Sequence, residues 1–328
     1  MILITGAGGH IGNVLAKYLY DKGHHDLRFL AMEGEDISYV EDYAAEVVRG
    51  DIRDIMTVRK AVTGCDYVFH LAGLVKISGV RKKLIYDINV GGTHNVVQAC
   101  LEKDVKRLLY VSSVHALVEP KDADVTEQLP SDVKTLKGHY ARSKALATME
   151  VLNGLQKGLD AVIVFPSGII GPDDYKTSYT GNALDGYINS DKIQYFFDGA
   201  YDFVDVRDAV DGIYKAFKKG EKGQGYILSG SIASLEDMMK NVEAVTGKPV
   251  KKRKISRELV KLAAFFAPVY YAIVGKKPVL SKYSVDVLFS NCNISHEKAR
   301  KKLGYSPRPL ADTIRDIVHW RLKFKKQP

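Results

Sequence analysis

The chain has 328 residues, of which 46% are hydrophobic and 27% are charged, so it is long enough for a large core and its composition excludes a disordered polypeptide. Its three cysteines, Cys65, Cys100 and Cys292, are far apart and odd in number, which indicates neither a disulfide framework nor a metal site and is typical of the cytoplasm. The formal net charge of +9 comes without a nucleic-acid-binding motif, so we expect the basic clusters on solvated surfaces and predict no nucleic-acid partner. The clusters lie at residues 251–254, 276–277, 300–302 and 323–326.

The chain begins with a strand, a glycine-rich turn and a helix. Residues 2–4 are an apolar run, residues 5–12 read Thr-Gly-Ala-Gly-Gly-His-Ile-Gly, and apolar residues then recur with helical spacing from Ile11 to Leu19. Glycines let the backbone approach a pyrophosphate closely, and a helix N-terminus offers it N–H groups. This order predicts a dinucleotide-binding turn. Because the first strand begins at residue 2, we expect no signal peptide and a cytoplasmic protein.

Strand-like and helix-like segments alternate through the first two-thirds of the chain. Helical patterns are clearest over residues 84–102 and 139–156. Further strands are predicted at residues 27–31, 46–48, 67–71, 108–111, 161–165 and 226–228. Such alternation predicts an α/β fold with a doubly wound parallel sheet, whose ligands bind at the carboxyl ends of the strands. Gly6, Asp51, Gly73 and Ser113 follow those ends.

Beyond residue 170 the alternation fades, and the sequence predicts mostly helices with basic loops. We therefore expect a dinucleotide-binding domain of residues 1–170 with 201–230, and a smaller helix-rich C-terminal substrate lobe of residues 171–200 and 231–328. The apolar segment 262–274 is too short to cross a membrane. We expect a helix that closes over an apolar pocket, while the basic flanks leave peripheral membrane attachment through 257–277 open.

Tyr140 and Lys144 lie four residues apart on the predicted helix 139–156. That spacing places both side chains on one helix face. A free tyrosine has a pKa of about 10, and a neighbouring lysine cation lowers it by favouring the phenolate. The same spacing also occurs on ordinary exposed helices. The pair therefore indicates a catalytic site only in combination with the glycine turn.

Together these motifs resemble those of the extended branch of the short-chain dehydrogenase/reductase superfamily, closest in type to dihydroflavonol reductases and 3β-hydroxysteroid dehydrogenases. The resemblance covers nearly the whole chain, including residues 298–307, and implies a Rossmann domain that binds a nicotinamide dinucleotide. The residues that match the family's cofactor-binding segments are Gly6, Gly9, His10, Ile11, Gly12, Asp51, Ile52, Leu71, Ala72, Gly73, Tyr140, Lys144, Pro166, Gly168 and Ile169.

The resemblance also implies a catalytic set of Ser113, Tyr140, Lys144 and Asn89. Tyr140 would exchange a proton with the substrate oxygen, Lys144 would lower its pKa and hold the nicotinamide ribose, and Ser113 would hydrogen-bond the substrate. Asn89 would support the active-site helix and a proton relay, although a local helical role is equally open.

Three further residues, Ser112, His115 and Asp205, have competing interpretations. Ser112 could take the place of Ser113. We interpret His115 as a pocket wall rather than a general base. We interpret Asp205 as fixing a loop and the start of a helix.

NAD and NADP are normally distinguished at the end of the second strand. An acidic residue there binds the ribose 2′-hydroxyl of NAD, whereas an arginine binds the 2′-phosphate of NADP. The usual acidic position of the family is Ala31 and the usual arginine position is Met32, so neither rule is met. The nearby acids Glu33, Glu35 and Asp36 would repel a phosphate. We therefore favour NAD with Glu33 as a contact, and NADP stays open because an arginine could fold back.

The substrate is expected to be a small molecule, namely a bulky and hydrophobic ketone, aldehyde or alcohol. Phe165 stands where many relatives have an arginine, and the substrate lobe contains Phe265, Phe266, Tyr270 and Tyr271, a composition that suits an apolar ligand. A nucleotide-sugar epimerase with tightly bound NAD and a non-catalytic dinucleotide-binding regulator are the alternatives. The resemblance further implies a possible homodimer through the Tyr140 helix and the helix that ends near residue 102.

Overall fold

The computed structural model describes residues 1–75, 82–189, 192–274 and 282–324, and it describes their side chains outside residues 268–274 and 282–284. The strands are β1 (Ile2–Thr5), β2 (Leu27–Ala31), β3 (Glu46–Arg49), β4 (Tyr67–His70), β5 (Arg107–Val111), β6 (Ala161–Pro166), β7 (Gly168–Ile170), β8 (Gln194–Phe196), β9 (Ala200–Asp205), β10 (Gly225–Leu228), β11 (Ser231–Ser234) and β12 (Lys252–Lys254). The helices are α1 (His10–Asp21), α2 (Ile55–Val62), α3 (Lys82–Tyr86), α4 (Gly92–Glu102), α5 (His139–Gln156), α6 (Tyr179–Asn189), α7 (Val206–Lys219), α8 (Leu235–Thr246), α9 (Arg257–Val274), α10 (Lys282–Leu288), α11 (Glu297–Leu303) and α12 (Leu310–Phe324).

A parallel sheet of seven strands forms the centre of the protein. Its order is β3-β2-β1-β4-β5-β6-β10, and every neighbouring pair runs parallel. Parallel neighbours need crossover connections, which the intervening helices supply. The strand order changes direction between β1 and β4, the point where doubly wound sheets bind their ligands. The predicted Rossmann-type sheet is confirmed.

Both faces of this sheet are buried. Leu3 packs with residues of α2, α4 and α5 on one face, whereas Ile2 and Ile4 pack with residues of α1 and α7 on the other. Because each strand is covered on both sides, the strands are continuous apolar runs rather than alternating ones.

The segment 84–102, predicted as one helix, is divided into three parts. α3 ends at Tyr86, a π-helical turn spans Asp87–Gly91, and α4 begins at Gly92. Two adjacent glycines weaken a regular helix at this point, and the turn buries Asn89, which is 2% exposed. Such π turns often occur at functional sites.

The expectation of one further strand and mostly helix after residue 170 is wrong in part. β7, β9 and β11 form a three-stranded sheet, and β8 pairs with β12. These strands have three to six residues, too few for a clear local pattern, and their partners are distant in sequence. The helices α8 to α12 agree with the expectation, and the proposed division into domain and lobe stays a prediction.

No helix in the described part of the chain is both long and apolar enough to cross a membrane. Of the segment 257–277, residues 275–277 lie outside the described residues, as do the basic residues Lys276, Lys277, Lys325 and Lys326.

Candidate active site

The glycine turn between β1 and α1 leaves space that side chains would otherwise fill. Gly6 has a φ of +78°, and a Cβ there would lie 2.8 Å from the backbone nitrogen of Ala72. A Cβ on Gly12 would lie 2.1 Å from the carbonyl oxygen of Gly6. The N-cap of α1 is Gly9, with no side-chain cap, so backbone N–H groups at this end can serve an anion. This cradle fits the pyrophosphate of a dinucleotide.

Side chains at the start of α1 hold the segment that follows β7. His10 Nε2 donates to the carbonyl oxygen of Pro172 at 2.8 Å. Asn13 Nδ2 donates to the carbonyl oxygens of Gly9 at 3.0 Å and Asp173 at 3.1 Å. These hydrogen bonds hold residues 172–173 against the start of α1, directly after the glycine turn.

Glu35 is the acidic residue that the structure places at the glycine turn. Its Oε1 lies 2.7 Å from the position that a Cβ of Gly8 would occupy. It pairs with Lys176 Nζ at 2.5 Å, and the Tyr39 hydroxyl donates to the carbonyl oxygen of Gly8 at 2.6 Å. Glu33 is exposed. Sequence reasoning missed Lys176, because it lies 141 residues beyond Glu35.

Asp51 and Ile52 follow β3 at the same edge of the sheet. A hydrogen bond from Arg53 lowers the pKa of Asp51. Asn95 Nδ2 on α4 donates to the carbonyl oxygen of Ile52 at 3.0 Å. A Cβ on Gly92 would lie 2.8 Å from Ile52 Cγ2, so this segment is packed tightly against the start of α4.

The segment after β4 runs beside the glycine turn. The N–H of Leu71 donates to the carbonyl oxygen of Thr5 at 3.1 Å, and that of Ala72 to Thr5 Oγ1 at 3.2 Å. A Cβ on Gly73 would lie 3.5 Å from Lys144 Nζ. The two predicted motifs, the glycine turn and the Tyr-Lys pair, therefore meet at this segment.

Pro166, Gly168 and Ile169 lead from β6 into β7. A Cβ on Gly168 would lie 2.9 Å from the carbonyl oxygen of Asp202 on β9. Glycine at this position therefore allows β7 to pair closely with β9.

The structure brings Ser113 and Tyr140 together. Ser113 is 7% exposed, follows β5 and accepts a hydrogen bond from the His115 N–H at 3.3 Å. Burial raises the pKa of Tyr140 to about 12, and a hydrogen bond with Ser113 acts in the opposite direction. The phenol is therefore protonated near neutral pH.

Lys144 is 4% exposed and lies on the same helix as Tyr140. Its Nζ donates to the carbonyl oxygen of Val111 at 2.9 Å and lies 5.0 Å from the centre of the Tyr110 ring. Burial lowers the pKa of Lys144 to about 8. The predicted lowering of the Tyr140 pKa by Lys144 is not seen, because the ammonium faces β5 and burial dominates the pKa of the phenol.

Asn89 joins the segment after β4 to the helix that carries Lys144. Its Oδ1 accepts from the Leu74 N–H at 2.7 Å, and its Nδ2 donates to Ser143 Oγ at 2.9 Å. This geometry agrees with support of the active-site helix, while the proton relay stays a prediction.

The alternative residues lie in different settings. Ser112 Oγ is 2.8 Å from Thr148 Oγ1, so it faces α5, whereas Ser113 faces Tyr140. His115 stacks on Tyr201 with ring centres 5.7 Å apart and meets the Tyr140 ring edge-on at 6.0 Å. Burial lowers the pKa of His115 to about 4. A neutral ring in this position agrees with a pocket wall.

Asp205 has the structural role that the sequence predicts. Its carboxylate caps α7 by accepting from the Arg207 N–H at 2.8 Å, and it pairs with the Arg207 guanidinium at 2.6 Å.

His70 has a buried supporting role that sequence reasoning missed. It is fully buried, with Nδ1 2.7 Å from Thr5 Oγ1 and Nε2 2.9 Å from Thr93 Oγ1. Thr93 Oγ1 donates to the carbonyl oxygen of Asn89 at 2.6 Å. Burial lowers the pKa of His70 to about 3, so a neutral imidazole connects β1, β4 and α4. Its place next to residues 71–73 was the available signal.

Two of the aromatic residues of α9 that were expected to line the substrate pocket are exposed to water. Phe265 and Phe266 are 70% and 57% exposed. The side chains of Tyr270 and Tyr271 lie outside the described residues. The aromatic side chains beside Tyr140 come from β9 and the β5 loop instead.

Comparison with known proteins gives matches over the full chain. The protein is 28% identical to sterol demethylase protein B of Methylococcus capsulatus, covering 97% of each chain. It is 28% identical to a putative dihydroflavonol 4-reductase of Synechocystis, covering 97% of this chain and 93% of the relative. The crystal structure of gox2253 matches with a TM-score of 0.84 and 30% identity, covering 100% of this chain and 99% of that one.

The family model matches a large part of the chain. The model of the NAD dependent epimerase/dehydratase family matches residues 2–229, which include the glycine turn, Ser113, Tyr140 and Lys144. The chain therefore belongs to the NAD dependent epimerase/dehydratase family, within the extended short-chain dehydrogenases/reductases, and is an NAD(P)-dependent oxidoreductase.

Proposed function

We propose that the protein interconverts a ketone or aldehyde and the corresponding alcohol on a bulky, hydrophobic small molecule, with Ser113, Tyr140 and Lys144 as the catalytic set. The observation that carries this proposal is the meeting of Ser113 and Tyr140 at the carboxyl edge of the sheet, with Lys144 beside Gly73. A nicotinamide dinucleotide, when bound, supplies hydride donation or acceptance.

Tyr140 holds the proton that the substrate oxygen exchanges. Its pKa is raised to about 12 by burial, so near neutral pH it is a proton donor and suits reduction of a carbonyl. Ser113 donates its hydroxyl hydrogen to the same oxygen and stabilises the charge that develops there. Lys144, with a pKa lowered to about 8 by burial, offers a buried ammonium to the ribose hydroxyls of the cofactor.

An apolar substrate is supported by the residues around Tyr140. His115 stacks on Tyr201, and the Tyr201 ring meets Phe203 edge-on with centres 5.8 Å apart. The Tyr201 hydroxyl and His115 Nε2 lie 3.2 Å apart and satisfy each other, and aromatic walls suit a hydrophobic ligand. The two curated relatives reported above are named for a sterol and for a flavonoid, which agrees with this class.

A nucleotide-sugar diphosphate would need cationic partners. Three arginines of the second half of the chain already pair with carboxylates: Arg207 with Asp205 and Asp316, Arg308 with Asp208, and Arg321 with Asp174 and Asp185. Phe165, where many relatives have an arginine, is 2% exposed. These observations favour the ketone reductase over the epimerase.

We infer that the cofactor is NAD, with Glu35 as its ribose contact. A carboxylate beside Gly8 suits the ribose hydroxyls and opposes a 2′-phosphate. The two cations next to it already have acidic partners, because Lys176 pairs with Glu35 itself and Arg49 pairs with Glu41. Glu35→Gln should improve NADPH binding relative to NADH by about tenfold, the equivalent of ~1.4 kcal/mol. Glu33→Gln is the matched control, because Glu33 is exposed, and should leave the ratio of the two dissociation constants unchanged.

The test of the reaction uses the whole protein with NADH and NADPH and a panel of steroid, flavonoid and aryl ketones plus UDP-sugars. We expect turnover with one ketone class, and Tyr140→Phe should reduce it by about 10³-fold without weakening cofactor binding. Tyr195→Phe is the control, because Tyr195 is 58% exposed.

Each other outcome contradicts the proposal. Undiminished turnover by Tyr140→Phe would exclude the proposed proton donor. Tightly bound NAD together with turnover of a UDP-sugar would identify an epimerase. Dinucleotide binding without turnover of any compound would favour the regulator.

A further inference from the structure

We propose that one face of α9 docks on the surface of an anionic lipid bilayer. The α9 face consists of Leu259, Leu262, Phe265 and Phe266, which are 53%, 55%, 70% and 57% exposed. This proposal concerns where the enzyme works and does not depend on the substrate proposed above.

The helix is apolar on two opposite sides. Val260, Ala264 and Ala267 are 1%, 2% and 6% exposed, and Val260 and Ala264 pack in a cluster with Phe197 and Val285. The α9 face lies on the other side, where residues 259, 262 and 266 follow helical spacing. A second apolar stripe, exposed to water, is what a helix in the plane of a membrane interface presents.

The charge next to this face is strongly positive. Residues 251–266 contain six lysines and arginines and one acidic residue, Glu258. Some of these cations have protein partners: Lys252 pairs with Glu243 and Lys254 with Asp198. Lys251 and Arg253 are exposed, and each Lys or Arg near an anionic leaflet adds attraction.

The strand pair β8–β12, which precedes α9 in the chain, also exposes apolar and basic side chains. Tyr195 is opposite Arg253 in this pair, and Tyr195 and Ile193 are 58% and 49% exposed. β12 ends two residues before α9 begins, so the basic side chains of β12 are close to the start of α9 in the chain. Tyrosine and phenylalanine beside lysine and arginine are typical of the membrane interface.

Two other arrangements fit the observations less well. α9 is not long and apolar enough to cross a membrane within the described residues, so it would lie on the bilayer. A symmetric dimer that packs the two α9 faces in parallel would bring the two basic segments of residues 251–257 close to each other, and such like-charge contact is unfavourable.

The test measures co-sedimentation of the full chain with vesicles of phosphatidylcholine alone and of phosphatidylcholine with about one-third phosphatidylserine. We expect binding to the anionic vesicles that weakens as salt rises, and little binding to the neutral ones. The double variant Phe265→Ser/Phe266→Ser should lose at least about tenfold in affinity. Lys251→Gln/Arg253→Gln should lose about fivefold for each cation removed.

The matched control variants remove exposed apolar or basic side chains outside α9 and β12. Met56→Ser/Ile232→Ser removes two apolar side chains that are 64% and 51% exposed, and Lys301→Gln/Lys302→Gln removes two exposed lysines of α11. Both should bind anionic vesicles as the wild type does, and thermal melting checks that every variant is folded.

Three results would overturn the proposal. One is no binding to anionic vesicles at low salt. Another is equal loss in the control variants. The last is a wild-type dimer that Phe265→Ser/Phe266→Ser converts to a monomer, since that result would assign the face to a second copy of the chain.

Discussion

Asn89 Nδ2 donates a hydrogen bond to Ser143 Oγ over 2.9 Å, directly before Lys144 in the chain. The same amide accepts from the Leu74 N–H at 2.7 Å, so one buried side chain fixes two segments of the site. Removing it takes the hydrogen-bond acceptor from the Leu74 N–H and one of the two partners from Ser143 Oγ, which also donates to the Tyr140 carbonyl oxygen, and such a loss costs about 1–3 kcal/mol. We therefore expect Asn89→Ala to lower both the free energy of unfolding and kcat, the latter by about tenfold for a misplaced catalytic group.

Asn95→Ala is the control for the loss of a hydrogen-bonding amide side chain away from Lys144. Asn95 holds the backbone of Ile52 and Arg53 at 3.0 Å each, so its loss should lower stability and weaken cofactor binding while kcat at saturating cofactor stays near the wild-type value. If Asn89→Ala changed stability alone, Asn89 would be structural and would not position Lys144.

The hydrogen bond with Ser113 opposes the effect of burial on the pKa of Tyr140. Burial raises the pKa of Tyr140, and the hydrogen bond with Ser113 lowers it, so Ser113→Ala should raise that pKa further. In the direction of alcohol oxidation the phenolate is the active form, and activity increases with pH as the phenol loses its proton. The variant should therefore need a higher pH to reach half of its maximal rate, and its maximal rate should fall about 10²-fold.

The measurement is kcat/KM for alcohol oxidation over the alkaline range. Ser112→Ala is the matched control, because Ser112 Oγ lies 2.8 Å from Thr148 Oγ1 and should not change the midpoint. A midpoint shifted to lower pH in Ser113→Ala, or an equal shift in Ser112→Ala, would contradict the assigned hydrogen bond.

The sequence predicted the central sheet well because its signals are local. The strand Leu27–Ala31 and the helix His139–Gln156 have the predicted bounds, since a fully buried strand is a short apolar run and an amphipathic helix repeats over many turns. The glycine turn was also predictable, because a steric requirement such as that at Gly6 selects one residue type.

The remaining parts depend on contacts between distant residues. Lys176 reaches Glu35 across the site, and β8 finds its partner β12 far along the chain. The direction of the Lys144 ammonium depends on a carbonyl of β5, which helical spacing alone does not reveal. The exposure of Phe265 likewise depends on which side of α9 packs against α10, and an apolar sequence pattern does not distinguish a pocket lining from an exposed face.

Lys144 is expected to reduce stability near neutral pH. Its pKa is lowered to about 8 by burial, whereas in the unfolded chain a lysine titrates near about 10.4. Below pH 8 the folded protein therefore carries a buried charge at a cost, and stability increases as pH increases from about 8 to about 10.4, because the unfolded chain then binds more protons. Lys144→Met should be at least as stable as the wild type at pH 7, with no activity.

The measurement is chemical denaturation of both proteins from pH 7 to pH 10.5, where the advantage of Lys144→Met should shrink. Lys157→Met, at an exposed position of the loop after α5, should show no such trend. A Lys144→Met variant clearly less stable than the wild type at pH 7 would mean that the hydrogen bond to Val111 outweighs the cost of the buried charge.

The glycine turn leaves less room for a side chain at Gly12 than at Gly9. We therefore expect alanine to lower stability at Gly12 and to weaken dinucleotide binding at Gly9. A Cβ on Gly12 would lie 2.1 Å from the carbonyl oxygen of Gly6 and 2.8 Å from Ala7 Cα, whereas a Cβ on Gly9 would meet Gly6 O at 3.3 Å. The contacts of Gly12 are with backbone, which cannot move without shifting α1 against β1, so Gly12→Ala should lose about 1–3 kcal/mol of stability. Gly9→Ala should melt near the wild-type temperature, since its φ of −83° is open to any residue, and should weaken dinucleotide binding because the methyl group narrows the pyrophosphate cradle.

Equal melting temperatures for the two variants would show that the turn relaxes around Gly12, and unchanged dinucleotide affinity of Gly9→Ala would place the pyrophosphate elsewhere.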